Sequence, residues 1–402
     1  MKSSLFKTIF AILVLAGISS CEKSDDDTVS PAEETEHKFI RVLVNDELSN
    51  TLSLVDPVKL AVETFQAQYP KAALYPTQAG RFAAVVHTSN HVVQLFDSGF
   101  EGHGDHVDLK GTPKFGALTG DGNKPTHFKS KGDEIITFND GDGTLSIAKE
   151  ADFHNSGAKM KTINTGNVAH HGAMTKFDNG SYAITVKDGS VAGSLPERVK
   201  IIDGAGKTIF ESTVQTKGIH GNASDGKVAL FGSSSGILVV ESNGNQRLIA
   251  HPASFGTAWF SSVYEAKGAG KFVGYSAAVG AYLIDPATGS ITPIIESGDI
   301  NQVKVDYAGN RLVALLHSGE VRIYDLSSNR LIKNGNIIQV TSKDETRKPQ
   351  IEATSRFLYV TQPKTGALLK ININDLSKST LIKVSEVPYR LSILGIESSE
   401  SH

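Results

Sequence analysis

The sequence predicts an all-β protein, and three observations lead to that fold class. The chain of 402 residues contains 38 glycines, Val, Ile and Thr are frequent, and long tracts of Leu, Ala, Glu and Lys are few, a composition that favours strands. Short alternating or apolar runs bounded by Gly, Asp and Asn recur along the chain. None of these runs carries a sustained period of about 3.6 residues, so no long amphipathic helix is expected.

A strand that ends in an acidic residue, followed by a turn and another strand, recurs through the chain. The acidic residues of this pattern are Asp56, Asp97, Glu150, Asp203, Glu241, Asp285, Asp325 and Asp375. Their mean spacing is about 46 residues. Repeats of about 40–50 residues, each with about four short strands, are the signature of β-propeller blades.

A second landmark, the inner strand that opens each blade, gives the same number of repeats. The candidate openings are residues 75–77, 124–127, 169–171, 218–220, 258–260, 301–303, 348–350 and 389–391. The last has no partner strands after it, whereas Phe39 to Phe65 supplies three strands with no inner strand before them. We therefore predict an eight-bladed β-propeller, closed by N-terminal strands that pair with the C-terminal strand. Seven blades, with one repeat as an elaborated loop, and a pair of independent β-sandwiches are the alternatives.

The N-terminus has the pattern of a secretory signal. Lys2 and Lys7 flank an apolar run, and the run ends at Ile18-Ser19-Ser20-Cys21, which resembles a bacterial lipobox. We predict a signal peptide over 1–20, a lipidated and disordered tether over 21–37 with Cys21 as the acylated residue, and a single propeller domain over 38–398. This organisation predicts a protein anchored by lipid in the outer membrane, facing the periplasm or the cell surface. An ordinary signal peptide that happens to contain a cysteine is the alternative.

Charge and cysteine content exclude several classes of protein. With 43 acidic and 40 basic residues, the chain has no basic surplus, so nucleic-acid binding is not expected. A single cysteine cannot form an internal disulfide or a cysteine zinc ribbon, so a metal site would use histidine and carboxylate ligands. No segment after the signal reaches the roughly 18 apolar residues of a membrane span. We expect a monomer that contacts the membrane through its lipid anchor only.

The histidines are concentrated in one third of the chain. Nine of the 13 lie between residues 87 and 220. Those at the inner-strand openings of blades two to four are His127, His170, His171 and His220, and blade topology predicts that they converge at one mouth of the channel. Imidazoles around a wet channel contribute little stability, whereas they suit a borderline metal ion. A polar, water-filled funnel without a metal is the alternative interpretation.

The segment between Asp97 and His127 is longer than its counterparts in other blades. It spans 30 residues and contains His103, Asp105 and His106 beside two glycines, which permit a sharp bend. Such a loop can supply a ligand to the channel cluster or form a separate loading site, and a surface accident is the alternative. Residues 139–143, with the sequence Asn-Asp-Gly-Asp-Gly, are interpreted as a hairpin turn because no bidentate glutamate follows at the calcium-loop offset.

Five motifs, in order, resemble one protein family, the periplasmic zinc metallochaperones of the AztD type. The motifs are Gly-His-Gly-Asp-His at 102–106, Lys-Pro-Thr-His-Phe at 124–128, Phe-Asn-Asp-Gly-Asp-Gly-Thr at 138–144, Ala-His-His-Gly at 169–172 and Ile-His-Gly at 219–221. The resemblance covers about residues 85–225. It implies a β-propeller that binds Zn²⁺ and delivers it to the solute-binding protein of a zinc ABC importer. The zinc-related residues that it implies are His103, Asp105, His106, His127, His170, His171 and His220.

The chain departs from that family in two respects. Members carry cysteine near the Ile-His-Gly element, whereas this chain has Thr216-Lys217-Gly218 there, so that loop must be held without a disulfide. The predicted lipid anchor also differs from a freely diffusing periplasmic protein. We expect a zinc-binding transport protein without enzymatic activity. A metal-dependent hydrolase or lactonase, which needs an open coordination position and a nearby base, and a noncatalytic propeller that binds a protein or glycan are the alternatives.

Overall fold

The computed structural model describes residues 32–104 and 106–400. Within this part, the chain forms eight four-stranded antiparallel sheets and one two-stranded sheet. The prediction of an all-β, eight-bladed propeller is therefore confirmed. In the same residues, no helix is both long and apolar enough to cross a membrane.

Strands are numbered along the chain. In blades one to seven, the first strand in the chain is the inner strand and the last is the outer strand. The chain begins with the outer strands of blade eight, β1 (Ile40–Asp46), β2 (Thr51–Asp56) and β3 (Ala61–Gln66). Blade one consists of β4 (Ala73–Pro76), β5 (Phe82–His87), β6 (Val92–Asp97) and β9 (Lys114–Gly120), with the hairpin strands β7 (Phe100–His103) and β8 (His106–Leu109) inserted before β9. Blade two consists of β10 (Pro125–Lys131), β11 (Glu134–Asn139), β12 (Thr144–Lys149) and β13 (Lys161–Ile163). Blade three consists of β14 (Met174–Lys176), β15 (Tyr182–Val186), β16 (Arg198–Ile202) and β17 (Thr208–Phe210).

Blades four to seven and the closing strand complete the ring. Blade four consists of β18 (Ile219–Ser224), β19 (Val228–Ser233), β20 (Gly236–Glu241) and β21 (Gln246–Ile249), and blade five of β22 (Ser262–Ala266), β23 (Lys271–Ser276), β24 (Gly280–Asp285) and β25 (Ser290–Ile295). Blade six consists of β26 (Ile300–Val305), β27 (Arg311–Leu316), β28 (Glu320–Asp325) and β29 (Arg330–Asn336), and blade seven of β30 (Ile351–Ala353), β31 (Phe357–Gln362), β32 (Ala367–Asn372) and β33 (Ser379–Lys383). The final strand is β34 (Pro388–Gly395). Short 3₁₀ helices lie at Thr88–Asn90, Glu150–Asp152, Ala253–Phe255 and Lys267–Ala269.

Blade eight is built from both ends of the chain. Its strand order is β3-β2-β1-β34, so the C-terminal strand is the inner strand and the N-terminal strands are the outer three. The pairing of β1 with β34 runs from Ile40 opposite Gly395 to Asp46 opposite Pro388. The predicted closure is confirmed, and its physical effect is to leave the ring without an open sheet edge between its first and last blades.

The recurring acidic residue belongs to the turn between the third and fourth strands of a blade. The carboxylate of Asp56 accepts hydrogen bonds from the amides of Val58 and Lys59, both 3.0 Å away, and Asp285 receives the amide of Ala287 at 2.9 Å. An aspartate that caps the amides two and three residues later stabilises a tight turn. The repeat visible in the sequence is thus a repeat of turn chemistry.

The hydrophobic core lies between neighbouring blades. One cluster joins blades two and three through residues such as Phe138, Met174 and Tyr182, and another joins blades three and four through Ala183 and Phe231. Strands of the middle layers are therefore buried on both faces, as in β5, where all six residues are buried. This packing fixes the relative positions of the inner strands of blades two, three and four.

The N-terminal segment contacts the propeller earlier than the predicted tether boundary. Glu36 is 2% exposed, and its carboxylate accepts hydrogen bonds from Thr354 at 2.7 Å and Tyr359 at 2.5 Å. Arg356 donates to the carbonyls of Ala32 and Thr35. Part of the predicted tether, residues 32–36, thus forms hydrogen bonds with blade seven, and Glu36 is buried there. The signal peptide and Cys21 lie outside the described residues.

Blade topology defines two faces of the ring. We call the face at which the inner strands begin the upper face; it also carries the turns between second and third strands, because neighbouring strands are antiparallel. The turns between third and fourth strands lie on the lower face. Because β7 and β8 are inserted between the third and fourth strands of blade one, this hairpin lies on the lower face.

Candidate metal centre

Three histidines from consecutive blades meet at the upper mouth of the channel. His127 lies near the start of β10, His171 lies in the loop that leads into β14, and His220 lies near the start of β18. All three side chains are partly buried. The ring centroid of His127 lies 4.8 Å from that of His171 and 5.8 Å from that of His220, so three neighbouring blades direct their imidazoles to one place.

The distances within this cluster fit a tetrahedral metal ion. One ring nitrogen from each histidine lies within 4.8 Å of the other two, and the Nε2 atoms of His127 and His171 are 3.3 Å apart. Zinc–nitrogen bonds of about 2.0–2.1 Å in tetrahedral geometry separate neighbouring ligand atoms by about 3.4 Å. The ring centroids of His171 and His220 are 5.2 Å apart. The cluster therefore needs little movement to hold Zn²⁺ with three nitrogen ligands.

Hydrogen bonds from outside the cluster orient two of the rings. Nδ1 of His171 lies 2.7 Å from the carboxylate of Asp140, and Nδ1 of His220 lies 2.7 Å from the carbonyl oxygen of Ser261. A carbonyl oxygen can only accept, so Nδ1 of His220 carries the proton and Nε2 keeps its lone pair. Nδ1 of His171 likewise donates its proton to the Asp140 carboxylate, so Nε2 of His171 has its lone pair available for the cluster. Such outer partners hold the ring of a metal-binding histidine and raise its basicity.

Burial keeps the third imidazole neutral. Burial and the neighbouring rings of His171 and His220 lower the pKa of His127 to about 3. Lys129, two residues later on the same strand, lowers it further. Because a metal binds the unprotonated nitrogen, His127 is ready to ligate at any physiological pH.

Two glycines permit this arrangement. Gly221 follows His220 with φ of 74°, and a Cβ atom there would lie 2.5 Å from the Ser261 oxygen that receives the His220 proton. Gly172 follows His171, and a Cβ atom there would lie 2.2 Å from the ring of Phe138. The glycine after histidine in both motifs is thus required for close packing beneath the site.

His170, which the sequence placed in the metal site, lies outside the cluster. Its Nδ1 bonds the carbonyl of Val168 at 2.8 Å and its Nε2 contacts Thr185 at 3.2 Å. The ring packs edge-on against Phe138 and is only 5% exposed. Both ring nitrogens are occupied within blade three, because the chain turns between His170 and His171 and sends the two side chains in different directions.

The hairpin on the lower face forms a second group of metal-ligand side chains. His103 of β7 and His106 of β8 are directly opposite each other, and the carboxylate of Asp108 lies 3.9 Å from His103 and 3.8 Å from His106. Asp105, the carboxylate that the sequence indicated here, lies outside the described residues. His103 is 78% exposed, and Lys110 lies 3.1 Å from Asp108. The group is therefore accessible to solvent, and the carboxylate of Asp108 is already paired with Lys110.

The two groups lie on opposite faces of the ring. The hairpin packs through Phe100 and Val107 against Phe39 and Ile396, which flank the closing strands of blade eight. Of the two roles left open for this loop, donation of a ligand to the channel cluster is therefore excluded. A separate loading site is the role that the geometry allows.

Three residues of the two sites were not among the predicted metal-site residues. Residues 139–143 form the predicted turn between β11 and β12, but the side chain of Asp140 also reaches His171 across the blade interface. Ser261 contributes only a backbone oxygen, which leaves no trace in a sequence. Asp108 carried a usable signal, since it stands two residues after His106 and therefore on the same side of β8.

Comparisons with known proteins agree with this architecture. No protein-family model matches the chain. The zinc chaperone AztD of Citrobacter koseri is 23% identical over 415 residues, covering 98% of this chain and 94% of AztD. A crystal structure of that protein superimposes with a TM-score of 0.80 and 21% identity, covering 90% of this chain and 100% of the other.

The propeller fold is shared more widely than this likeness. The dihydro-heme d1 dehydrogenase NirN, in complex with its ligand DHE, matches with a TM-score of 0.59 and 14% identity over 88% of this chain and 74% of NirN. The fold alone therefore does not separate a binding protein from an enzyme. The likeness to AztD, which the five motifs indicated for residues 85–225, extends over nearly the whole chain. The resemblance to zinc chaperones of the AztD type is thus confirmed in sequence and in fold.

Proposed function

We propose that this protein is a zinc chaperone, a transport protein that binds Zn²⁺ at the upper mouth of its channel and passes the ion to another protein. The observation that carries the proposal is the convergence of His127, His171 and His220, with outer hydrogen bonds that turn Nε2 of His171 and His220 towards the cluster. Neutral imidazoles are preferred ligands of zinc. The similarity to AztD along nearly the whole chain supports the same function.

Three protein ligands are suited to transfer of the ion. Zinc held by three nitrogens keeps a fourth position for an external ligand. A side chain of a recipient protein enters there, and the histidines then leave one at a time, so the ion is never released into water. Since each step replaces one bond with another, the barrier to transfer stays low although binding is tight.

The same open position could serve a hydrolase, but the chemistry around it does not favour one. A zinc hydrolase needs a general base beside the metal-bound water. The described group of three histidines contains no carboxylate, and the nearby Asp140 is engaged by His171 and by the amide of Gly172. We infer a protein that binds and exchanges zinc without catalysis.

The hairpin on the lower face is proposed as a weaker capture site. His103 and His106 with Asp108 offer two nitrogens and an oxygen near the surface. Lys110 competes for Asp108 through its ion pair, so a metal ion binds there less tightly than at the channel mouth. An exposed site of this kind collects zinc from solution and releases it readily.

The location of the protein and its recipient are proposed from the sequence and from the family resemblance. The signal peptide over 1–20 and acylation of Cys21 would anchor a monomer in the outer membrane, facing the periplasm or the cell surface. The proposed recipient is the solute-binding protein of a zinc ABC importer.

Titration of the metal-free mature protein with Zn²⁺ tests the proposal. We expect submicromolar binding at one tight site. The His127→Ala variant should bind zinc about 100-fold or more weakly, because loss of a ligand costs more than loss of a residue that only hydrogen-bonds a ligand. His170→Ala is the matched control, because it removes an imidazole one residue from the cluster and should leave tight binding intact. Zinc binding no better than micromolar, or equal loss in both variants, would contradict the proposal. Zinc transfer to a purified solute-binding protein then tests the recipient.

A further inference from the structure

One loop on the upper face is unlike its counterparts. The connection between the second and third strands of blade three runs from residue 187 to 197 and has eleven residues. The equivalent turns of the other seven blades have two to four residues. Two antiparallel strands can be joined by a short turn, so the extra length of the 187–197 loop indicates a role other than connecting the strands.

The loop bonds the backbone beside two of the three clustered histidines. The carbonyl oxygen of Ser194 accepts the amide of His171 at 3.1 Å, and the carbonyl oxygen of Pro196 accepts the amide of Ile219, next to His220, at 2.8 Å. Leu195 covers Gly218, where a Cβ atom would lie 3.4 Å from its side chain. The backbone that carries two zinc-facing imidazoles is therefore held in place from this loop.

The base of the loop is a buried, fully bonded charge. Glu197 is 0% exposed, and its carboxylate receives the ammonium of Lys187 and the amides of Asp188 and Val191. Its carbonyl oxygen accepts both the amide and the hydroxyl of Thr216 at 2.8 Å. A buried carboxylate bonded in this way fixes its surroundings, because each bond lost leaves a desolvated charge. These contacts also hold the 216–218 segment without a disulfide.

The tip of the loop has the opposite character. Residues 189, 190 and 192–194 are exposed and small. Gly189 and Gly193 have φ of 77° and 102°, and a Cβ atom at either would meet nothing within 4 Å. Between the glycines, Ser190 bonds Asp188 and Gln215, but these bonds lie on the exposed surface. The backbone can therefore bend at the two glycines, whereas the base is held by buried bonds, a combination found in hinged lids.

We propose that the 187–197 loop is a lid that holds His171 and His220 in the zinc-binding arrangement and so sets the rate at which zinc leaves the cluster, with Glu197 as the positioning residue. The inference rests on the proposed zinc site and concerns the control of its exchange. Bending at the two glycines withdraws the Ser194 oxygen from His171. The imidazole then gains freedom to leave the metal when a ligand from a recipient enters the fourth position.

Release kinetics of zinc-loaded protein test the lid. Zinc is transferred to an excess of a chromogenic chelator in a stopped-flow instrument. We expect the Glu197→Gln variant to release the ion about tenfold faster than the unaltered protein. This factor corresponds to a release barrier lowered by about 1.4 kcal/mol. Glu134→Gln is the matched control. Glu134 is also buried, at 6% exposure, and pairs with Lys176 at 3.1 Å, but it stands at the start of β11 on the lower face. We expect its variant to lose stability without faster release.

A second variant keeps the test decisive if Glu197→Gln does not fold. Insertion of two glycines after Gly193 loosens the lid and leaves its base intact, and the same insertion between Lys364 and Thr365 in the blade-seven turn is the control. We expect faster release for the first insertion only. Release rates unchanged in both loop variants, or accelerated equally in the controls, would overturn the lid. Failure of the unaltered protein to bind zinc would instead refute the zinc site itself, and the lid with it.

Discussion

Asp140 offers the sharpest test of how the cluster is held, because its side chain contacts a zinc-facing histidine without being a candidate ligand. One carboxylate oxygen lies 2.7 Å from Nδ1 of His171, and the other lies 3.3 Å from the amide of Gly172. Asp140 is 7% exposed, so water does not replace it easily. The substitution Asp140→Asn keeps the shape of the side chain and removes its charge.

The magnitude follows from these two bonds. A charge-assisted hydrogen bond contributes about 1.5–3 kcal/mol and a neutral one about 0.5–1.5 kcal/mol, so the weaker bond to His171 lowers zinc affinity by about tenfold. The asparagine NH₂ group would also face the amide of Gly172, donor against donor. This second loss brings the expected weakening into the range of about 10–100-fold that outer-shell substitutions produce.

Isothermal titration with competition by a chelator measures the change. Asp142→Asn is the matched control, because Asp142 lies in the same turn and is exposed, and its carboxylate accepts hydrogen bonds from the amide of Thr144 at 3.0 Å and from its hydroxyl at 2.6 Å. We expect its zinc affinity to equal that of the unaltered protein. Equal affinity of the Asp140→Asn variant and the unaltered protein would show that Asp140 does not hold His171 for zinc, and so would an equal loss in both variants.

Three further predictions concern other parts of the molecule. Lys110→Met frees the carboxylate of Asp108, so zinc binding at the hairpin should tighten roughly twofold to fivefold, as measured by titration of a variant that lacks His127. Gly221→Ala pushes the Ser261 oxygen away from His220 and should weaken channel binding by about tenfold or more in the same assay. Burial raises the pKa of Glu36 above its ordinary value of 4.5, so its contribution to stability is full below that value and falls as the pH rises through the higher folded-state pKa. Chemical denaturation from about pH 4 to about pH 7 should therefore show the Glu36→Gln variant gaining stability relative to the unaltered protein, by about 1.4 kcal/mol for each unit of pKa elevation, and a constant difference would contradict this.

The ring could be predicted from local chemistry. The aspartates of the repeat, such as Asp56 and Asp285, accept hydrogen bonds from backbone amides two or three residues later. A local turn of this kind can be read from the sequence wherever the aspartate recurs. The closing blade followed from counting strands, because an inner strand without partners at one end matched three strands without an inner strand at the other. Excess length between Asp97 and His127 likewise indicated an inserted loop, which the structure shows to be a hairpin.

The candidate site was only partly predictable. Blade topology brought His127, His171 and His220 to one mouth, but it could not separate His171 from its neighbour His170, since the direction of each side chain depends on how the loop before β14 turns. The bond from His171 to Asp140 joins residues 31 positions apart in different blades. No periodicity within either segment records such a contact.

By itself, the sequence determined the strand content, the number of blades, the closure of the ring and the imidazole-rich sector, because each depends on composition, on turns or on the order of strands along the chain. Only the tertiary structure decided which histidines face one another, that the hairpin group lies on the opposite face, and that Glu197 anchors a lid against the backbone beside His171 and His220. These features depend on distances between blades, and packing across the ring sets those distances.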